Sequence, residues 1–341
     1  MNFSKRKRYE NYKIPMKHFR CSVWGEIIVS PLALSIIDTW EFQRLHYIRQ
    51  TGFSYKVFPT TTSTRFEHSI GVYHLTKMVV DIVNKNLSEK ERLSDFHCEL
   101  LGIVGLCHDI GHGPFSHLFD DMIQDIPTIV AKEHEIRSCD IIRAMFHKYQ
   151  FEGLQLQDIE WICKRIHNPP NENWFDTLVC NPYSSFDTDK LDYLIRDARH
   201  FGIPSGFDIH RILGNMRVIE NRLCFCERIY QDIDKVFTMR EEMHQCIYRH
   251  PTIQKFDAYI KENLPTCTWR NMDLEMFLEL HDANVLGLLP RQKRQEFETR
   301  QWKLFSESVD KNAPYKDNQK ILALQNMLWY HRKNPFQFFS I

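Results

Sequence analysis

The sequence predicts an all-α, mainly helical fold with a small β element and a helical C-terminal lobe. Three observations carry that expectation. Apolar residues recur at helical spacing through most of the chain. Glycine is scarce, 12 in 341 residues, so periodic segments run with few breaks. Only Arg222-Leu-Cys-Phe-Cys-Glu-Arg228 alternates in the manner of a strand.

In order along the chain, residues 1–16 read as a basic, loose N-terminal tail. Its run Lys5-Arg6-Lys7-Arg8 suits either a nuclear-import signal or a solvated end. Residues 17–262 read as one compact unit, because no Gly/Ser/Pro linker divides them. Within it, Leu32 to Ile48 (Leu34, Ile37, Phe42, Leu45) and Ile70 to Val83 carry helical periodicity. Leu100 to Leu106 is an apolar run ending at His108, and Ile136 to Phe146, Phe186 to Arg199 and Ile233 to Tyr248 are further helices. Residues 263–341 form the C-terminal lobe, with Leu274 to Leu280 and Ile321 to His331 as its helical segments.

Composition excludes several classes. Lys+Arg and Asp+Glu are both 44, so the net charge is zero and extended nucleic-acid binding has no support. A local basic site for a phosphorylated ligand stays open. Ten cysteines lie scattered without a CxxC pair, which reads as free thiols in a reducing compartment. No apolar run approaches membrane length, and the expected location is nuclear or cytoplasmic.

Four short segments carry the chemistry. Arg65-Phe-Glu-His68 opens a helical pattern, and His108-Asp109 closes a buried apolar run. Gly111-His-Gly-Pro-Phe-Ser-His117 supplies His112 and His117, and Asp187-Thr-Asp189-Lys-Leu-Asp-Tyr193 supplies carboxylates. Neutral imidazoles and carboxylates are natural ligands of a divalent cation. An adjacent His-Asp pair is costly to bury without a partner, and a metal satisfies both groups. His68 and Asp189 complete the set, with water in the open positions, where it becomes a nucleophile near neutral pH. His68 alone reads more readily as an ordinary core or surface histidine than as a ligand. The His-Asp pair followed by two more histidines favours the metal. Iron, manganese, zinc and magnesium all suit these donors. Helical spacing also places Asp189, Tyr193 and Asp197 on one face, and Arg240, His244 and Tyr248 on another.

The pattern His68, His108-Asp109, Asp189 resembles the H…HD…D signature of HD-domain phosphohydrolases. The stretches Phe42-Gln-Arg-Leu-His-Tyr-Ile-Arg-Gln50, Val57-Phe-Pro59, Arg65-Phe-Glu-His-Ser69, Leu106-Cys-His-Asp-Ile-Gly-His-Gly-Pro-Phe-Ser-His117, Asp187 to Tyr193 and Arg196-Asp197 narrow the match. They are similar to animal dNTP triphosphohydrolases in which a sterile-alpha-motif domain precedes the HD domain. The resemblance runs from about Lys17 into the C-terminal lobe, and only the catalytic part is expected here. It implies a helical HD fold and hydrolysis of a dNTP to deoxynucleoside and triphosphate by water attacking the α-phosphorus.

The resemblance also implies roles. His68, His108, Asp109 and Asp189 hold the metal. His134 donates or relays a proton to the leaving 5′-oxygen, with His112 a second member of that relay. Arg65, His112, His117, Lys190, Tyr193 and Arg240 contact phosphates. Gln50 and Asp197 meet the sugar 3′-hydroxyl, Tyr248 packs under the deoxyribose, and His250 touches the base side. Thr51 stands where the family has leucine. A homo-oligomer, dimer or tetramer, is the family's assembly. Asp38, Gln43, Arg211 and Arg228 match its regulatory sites, but Arg20, His46, Cys226 and Cys246 depart from them and residues 264–271 are shortened, so regulation by GTP and dNTP in the family manner is not expected. The competing readings are an HD phosphohydrolase of nucleoside monophosphates or other phosphoesters, and a non-catalytic nucleotide- or nucleic-acid-binding protein.

Overall fold

The computed structural model describes residues 16–265, 269–299, 324, 326–331 and 334–340. The tail 1–15, including Lys5–Arg8, lies outside them. The described chain begins with a hairpin, β1 (Lys17–Cys21) antiparallel to β2 (Gly25–Val29). Two short helices follow, α1 (Pro31–Ile37) and α2 (Trp40–Gln43). The continuous periodicity of Leu32 to Ile48 predicts one helix here, but Thr39 Oγ1 accepts from the Phe42 amide and starts a new one. A hydroxyl that caps competes locally with helix continuation. Two 3₁₀ turns, Arg44–Tyr47 and Gly52–Lys56, lead to the long helix α3 (Arg65–Asn86).

The helical body continues with α4 (Asp95–Cys107), capped by Ser94, α5 (His117–Ile123), α6 (His134–Tyr149), α7 (Leu156–Ile166) and α8 (Thr188–Phe201). Asp187 caps α8 at its start, and Gly202 ends it in the left-handed conformation. After α9 (Ile209–Leu213), β3 (Met216–Ile219) and β4 (Arg222–Cys226) form a hairpin turning at Glu220-Asn221, both at positive φ. The expected strand is therefore β4. Helix α10 (Tyr230–Met243) runs into a π-helical turn, His244–Tyr248, and then α11 (Pro251–Asn263).

The C-terminal lobe contains α12 (Leu274–Leu278), α13 (Asp282–Gly287) and α14 (Arg291–Thr299). Its last described part is β5 (Leu328–His331) and β6 (Asn334–Ser340). Over Ile321 to His331 the periodicity predicts helix; residues 321–323 and 325 lie outside the described ones, and Leu328–His331 is strand. β5 lies parallel to β4, with Phe225 opposite Trp329, giving the sheet order β3-β4-β5-β6. That distant pairing decides the conformation of a segment whose local periodicity is ambiguous.

Helix α3 is the axis of the packing. Its residues Ile70, Val72 and Tyr73 join a core with α4, α6, α7, α11 and the C-terminal helices. Leu75, Val79 and Val83 join a second core with α8, α10 and the sheet. Each fully buried Leu, Val, Ile or Phe in these layers contributes roughly 1.5–3 kcal/mol. Gly71 lets α8 approach α3 closely: a Cβ there would lie 2.2 Å from Asp192 Oδ1 and 2.1 Å from an Arg196 guanidinium nitrogen. No helix among the described residues is long and apolar enough to cross a membrane.

Candidate metal centre and active site

The predicted ligands come from three helices. His68 sits in the first turn of α3, His108 caps the end of α4 with Asp109 next to it, and Asp189 lies in the first turn of α8. Their donor atoms meet. His68 Nε2 is 3.0 Å from Asp189 Oδ1 and 3.4 Å from Asp109 Oδ2. His108 Nε2 is 3.4 Å from Asp189 Oδ1 and 3.5 Å from Asp109 Oδ1.

The protonation pattern fits a cation at this point. His108 Nδ1 donates to the Gly105 carbonyl at 2.8 Å, so Nε2 carries the lone pair. That Nε2 is buried without a hydrogen-bond partner. His68 Nδ1 likewise donates to Asp192 at 2.8 Å, so its Nε2 lone pair faces carboxylate oxygens. Two lone pairs and two carboxylates pointing together repel unless a positive charge lies between them. Without another positive charge the carboxylates draw a proton to this point: burial disfavours it on His68, but Asp189 and Asp192 outweigh burial and raise the His68 pKa to about 9. Burial opposes ionisation of Asp109 and Asp189 as well. Arg65, His108 and His112 nevertheless hold Asp109 well below its ordinary value, and His108 and His68 do the same for Asp189. The residues present thus fit a divalent metal, with a mixed N/O donor set that does not select one element.

A second layer holds His68. Asp192 is fully buried and receives two 2.9 Å bonds from the Arg196 guanidinium, plus the Trp24 indole N–H at 2.5 Å. This carboxylate–histidine arrangement fixes ring orientation and raises ligand basicity. Asp192 stood inside the motif the sequence singled out, but helical spacing alone does not show that it faces His68.

Beside the ligands lies a histidine cluster. His112 Nε2 is 3.2 Å from Asp109 Oδ1, and the His112 ring stacks on His134 at 3.9 Å. His117, more exposed, meets His134 edge-on at 5.3 Å. His134 Nδ1 is 2.8 Å from Asp120 Oδ2, and Asp120 is also bound by Arg137. Sequence reasoning missed Asp120, whose only signal is its place three residues after His117. Burial, with Arg65 and His134 nearby, keeps His112 neutral. The loop passes so close to α6 that a Cβ at Gly111 would lie 2.1 Å from the His134 carbonyl. The same loop bends through Phe115 and Ser116 at φ 64° and 60°, values unusual for residues with a side chain.

The remaining predicted residues are placed as follows. Arg65 binds Asp109 at 2.5 Å, Ser116 Oγ at 2.9 Å and the Gln50 carbonyl at 3.4 Å. Lys190 Nζ is held by Asp187 at 2.7 Å. Tyr193 approaches His68 and Tyr248, each at 6.5 Å between rings. Tyr248 Oη donates to Asp197 Oδ2 at 2.7 Å. Asp197 Oδ1 and Gln50 Oε1 are buried acceptors without a partner. Burial raises the pKa of both Tyr193 and Tyr248, and nearby Arg240 opposes the shift only in part. His250 caps α11 through Nδ1 and meets Phe58 at 5.8 Å. Of the regulatory positions, His46 is exposed and stacks on Phe66 at 3.5 Å, and Cys226 is buried.

The HD domain pattern matches residues 65–239. The chain is 37% identical over 293 residues to an HD domain-containing protein of Acanthamoeba polyphaga mimivirus, covering 80% of this chain and 64% of that one. It is 32% identical over 243 residues to the deoxynucleoside triphosphate triphosphohydrolase SAMHD1 homolog of Dictyostelium discoideum, covering 70% and 47%. It is 33% identical over 277 residues to deoxynucleoside triphosphate triphosphohydrolase SAMHD1 of Homo sapiens, covering 72% and 44%. The chain thus spans about half the length of the SAMHD1 relatives.

Proposed function

The chain belongs to the HD-domain family, and from that premise we propose that it hydrolyses deoxynucleoside triphosphates to deoxynucleoside and inorganic triphosphate with a divalent metal. The observation that carries the reading is the buried, unpartnered His108 Nε2 aimed at the same point as His68 Nε2, Asp109 and Asp189. His68, His108, Asp109 and Asp189 would hold the ion. When bound, it supplies Lewis-acid polarisation of a phosphoryl oxygen and acidifies water into a nucleophile near neutral pH.

The chain's own groups do the rest. His134 keeps Nδ1 towards Asp120, which orients the ring so that Nε2, 3.4 Å from Glu135, can deliver a proton to the departing 5′-oxygen. Neutral His112, stacked on His134, donates or accepts without adding charge. Arg65 and Lys190 supply cations for phosphate oxygens, each by exchanging a carboxylate partner of the protein for the substrate. Two buried acceptors, Gln50 Oε1 and Asp197 Oδ1, suit a hydroxyl donor such as the sugar 3′-OH. Tyr248, tied to Asp197, fills the space beside it and disfavours a 2′-hydroxyl.

The free thiols support a nuclear or cytoplasmic location, and a dimeric or tetrameric assembly belongs to the same reading. The departures at Arg20, His46, Cys226 and Cys246 argue that turnover does not depend on GTP in the family manner. Purified protein should convert each dNTP, with added metal, to deoxynucleoside and triphosphate. The double variant His108→Ala/Asp109→Ala should lose both metal and turnover. Release of pyrophosphate and a monophosphate, or full metal occupancy in that variant, would overturn the assignment.

A further inference from the structure

The metal ligands and the histidine cluster sit on backbone that is held from outside the centre. The loop 110–117, which carries His112 and His117, turns through two residues with side chains at positive φ. Such conformations persist only where the surroundings over-determine them. On one flank of the turn, Ser116 Oγ donates to the Arg49 carbonyl at 2.6 Å and accepts from Arg65 Nε at 2.9 Å. On the other flank the contact is made by the C-terminal lobe. Asp282, the first residue of α13, accepts from the Phe115 amide through Oδ1 at 2.8 Å. Its second oxygen, Oδ2, accepts from the Arg49 amide at 3.0 Å.

One carboxylate therefore bridges two separate pieces of backbone. Arg49 immediately precedes Gln50, and Phe115 lies between His112 and His117. The same corner of the lobe has a second grip. Arg44 donates to the Leu280 carbonyl at 3.1 Å, and also to the carbonyls of Ile110 at 3.1 Å and His112 at 2.8 Å. Leu280 and Asp282 thus engage both ends of the histidine loop, one through a guanidinium and one directly.

We propose that Asp282 is a positioning residue that fixes the Gln50 segment and the histidine loop relative to each other, making turnover depend on the C-terminal lobe. It acts through Arg49 and Phe115, not on substrate. A neutral or truncated side chain cannot hold both amides, and the strained turn would relax towards ordinary φ, moving His112 and His117. Displacements of about 1 Å in such groups cost up to ~10²-fold in rate.

The inference rests on the proposed dNTP hydrolysis only for its rate readout. Asp282→Ala and the milder Asp282→Asn are compared with Asp273→Ala, which removes the α12 cap of the same lobe without touching the loop. In metal-loaded full-length protein, kcat for dATP should fall about tenfold or more in Asp282→Ala and less in Asp282→Asn, with bound metal at the wild-type level. Asp273→Ala should keep kcat while losing some thermal stability. Amide exchange in a peptide covering residues 111–117 should quicken in the Asp282 variants alone. A kcat within twofold of wild type, a fall that Asp273→Ala reproduces, or unchanged exchange would overturn the role. If wild type turns over no dNTP, the functional reading fails by itself, and the exchange comparison still decides the positioning role.

Discussion

Replacing Asp197 with asparagine should make the protein more stable and less active. Asp197 is 2% exposed, accepts one bond from Tyr248 Oη, and has a second oxygen without a partner. Burial raises its pKa from 3.8 to about 6, although Tyr248, His68, Arg65 and Arg196 all favour the ionised form. The direction of the pH effect follows. Below about pH 4 the folded and unfolded carboxyls are both protonated and no penalty exists. Between about pH 4 and 6 the folded carboxyl keeps a proton that the unfolded one has lost, so stability declines as pH rises. Above about pH 6 the full penalty of about 3 kcal/mol applies. Asp197→Asn removes that penalty but leaves a buried amide N–H unpaired, which costs about 1 kcal/mol or more. The net gain is roughly 2 kcal/mol near pH 7.5, or several degrees in melting temperature. Metal-free protein should be melted from pH 4 to 8, so that no dication alters the carboxyl, and kcat/KM for dATP measured after metal loading. The variant should outlast wild type at pH 7.5, melt slightly below it at pH 4, where only the unpaired amide counts, and lose at least about tenfold in kcat/KM through the lost acceptor. Equal or lower stability at pH 7.5, or a gain that does not change with pH, would refute the account of Asp197 as a charge buried for use.

Three further outcomes are expected. His134→Ala should keep wild-type metal content and lose ~10²-fold or more in kcat, because the proton on the leaving oxygen loses its donor; loss of metal in its place would move His134 into the ligand set. Tyr248→Ala should narrow the ratio of kcat/KM between dATP and ATP and weaken dATP binding, and an unchanged ratio would rule out steric exclusion. Asp192→Asn should weaken metal binding about 10–100-fold by chelator competition. It should also lower the melting temperature, since Arg196 then lies fully buried opposite an incomplete partner; metal affinity within twofold of wild type would refute the support role.

The donor chemistry of the centre is legible in the order of residues alone. His68, His108, Asp109 and Asp189 were named by residue type, adjacency and family resemblance, and the structure brings all four together. The spacing of Asp189, Tyr193 and Asp197 was enough to place them on α8, and alternation was enough to find β4, because both periodicities are local properties of the backbone. Local pattern failed where a distant partner or a side-chain cap overrode it. Thr39 broke the helix expected through Ile48, and β4 drew Leu328–His331 into a sheet.

Which polar groups face one another depends on how the helices pack. His68 and Asp189 are 121 positions apart, and Phe115 and Asp282 are 167 apart. The sequence shows that Asp192, Asp120, Asp187 and Asp282 are carboxylates, but not that they hold His68, His134, Lys190 and a strained loop. A side chain's chemistry is carried by its own atoms, whereas the direction of its lone pairs is set by helices that meet only when the cores behind them pack.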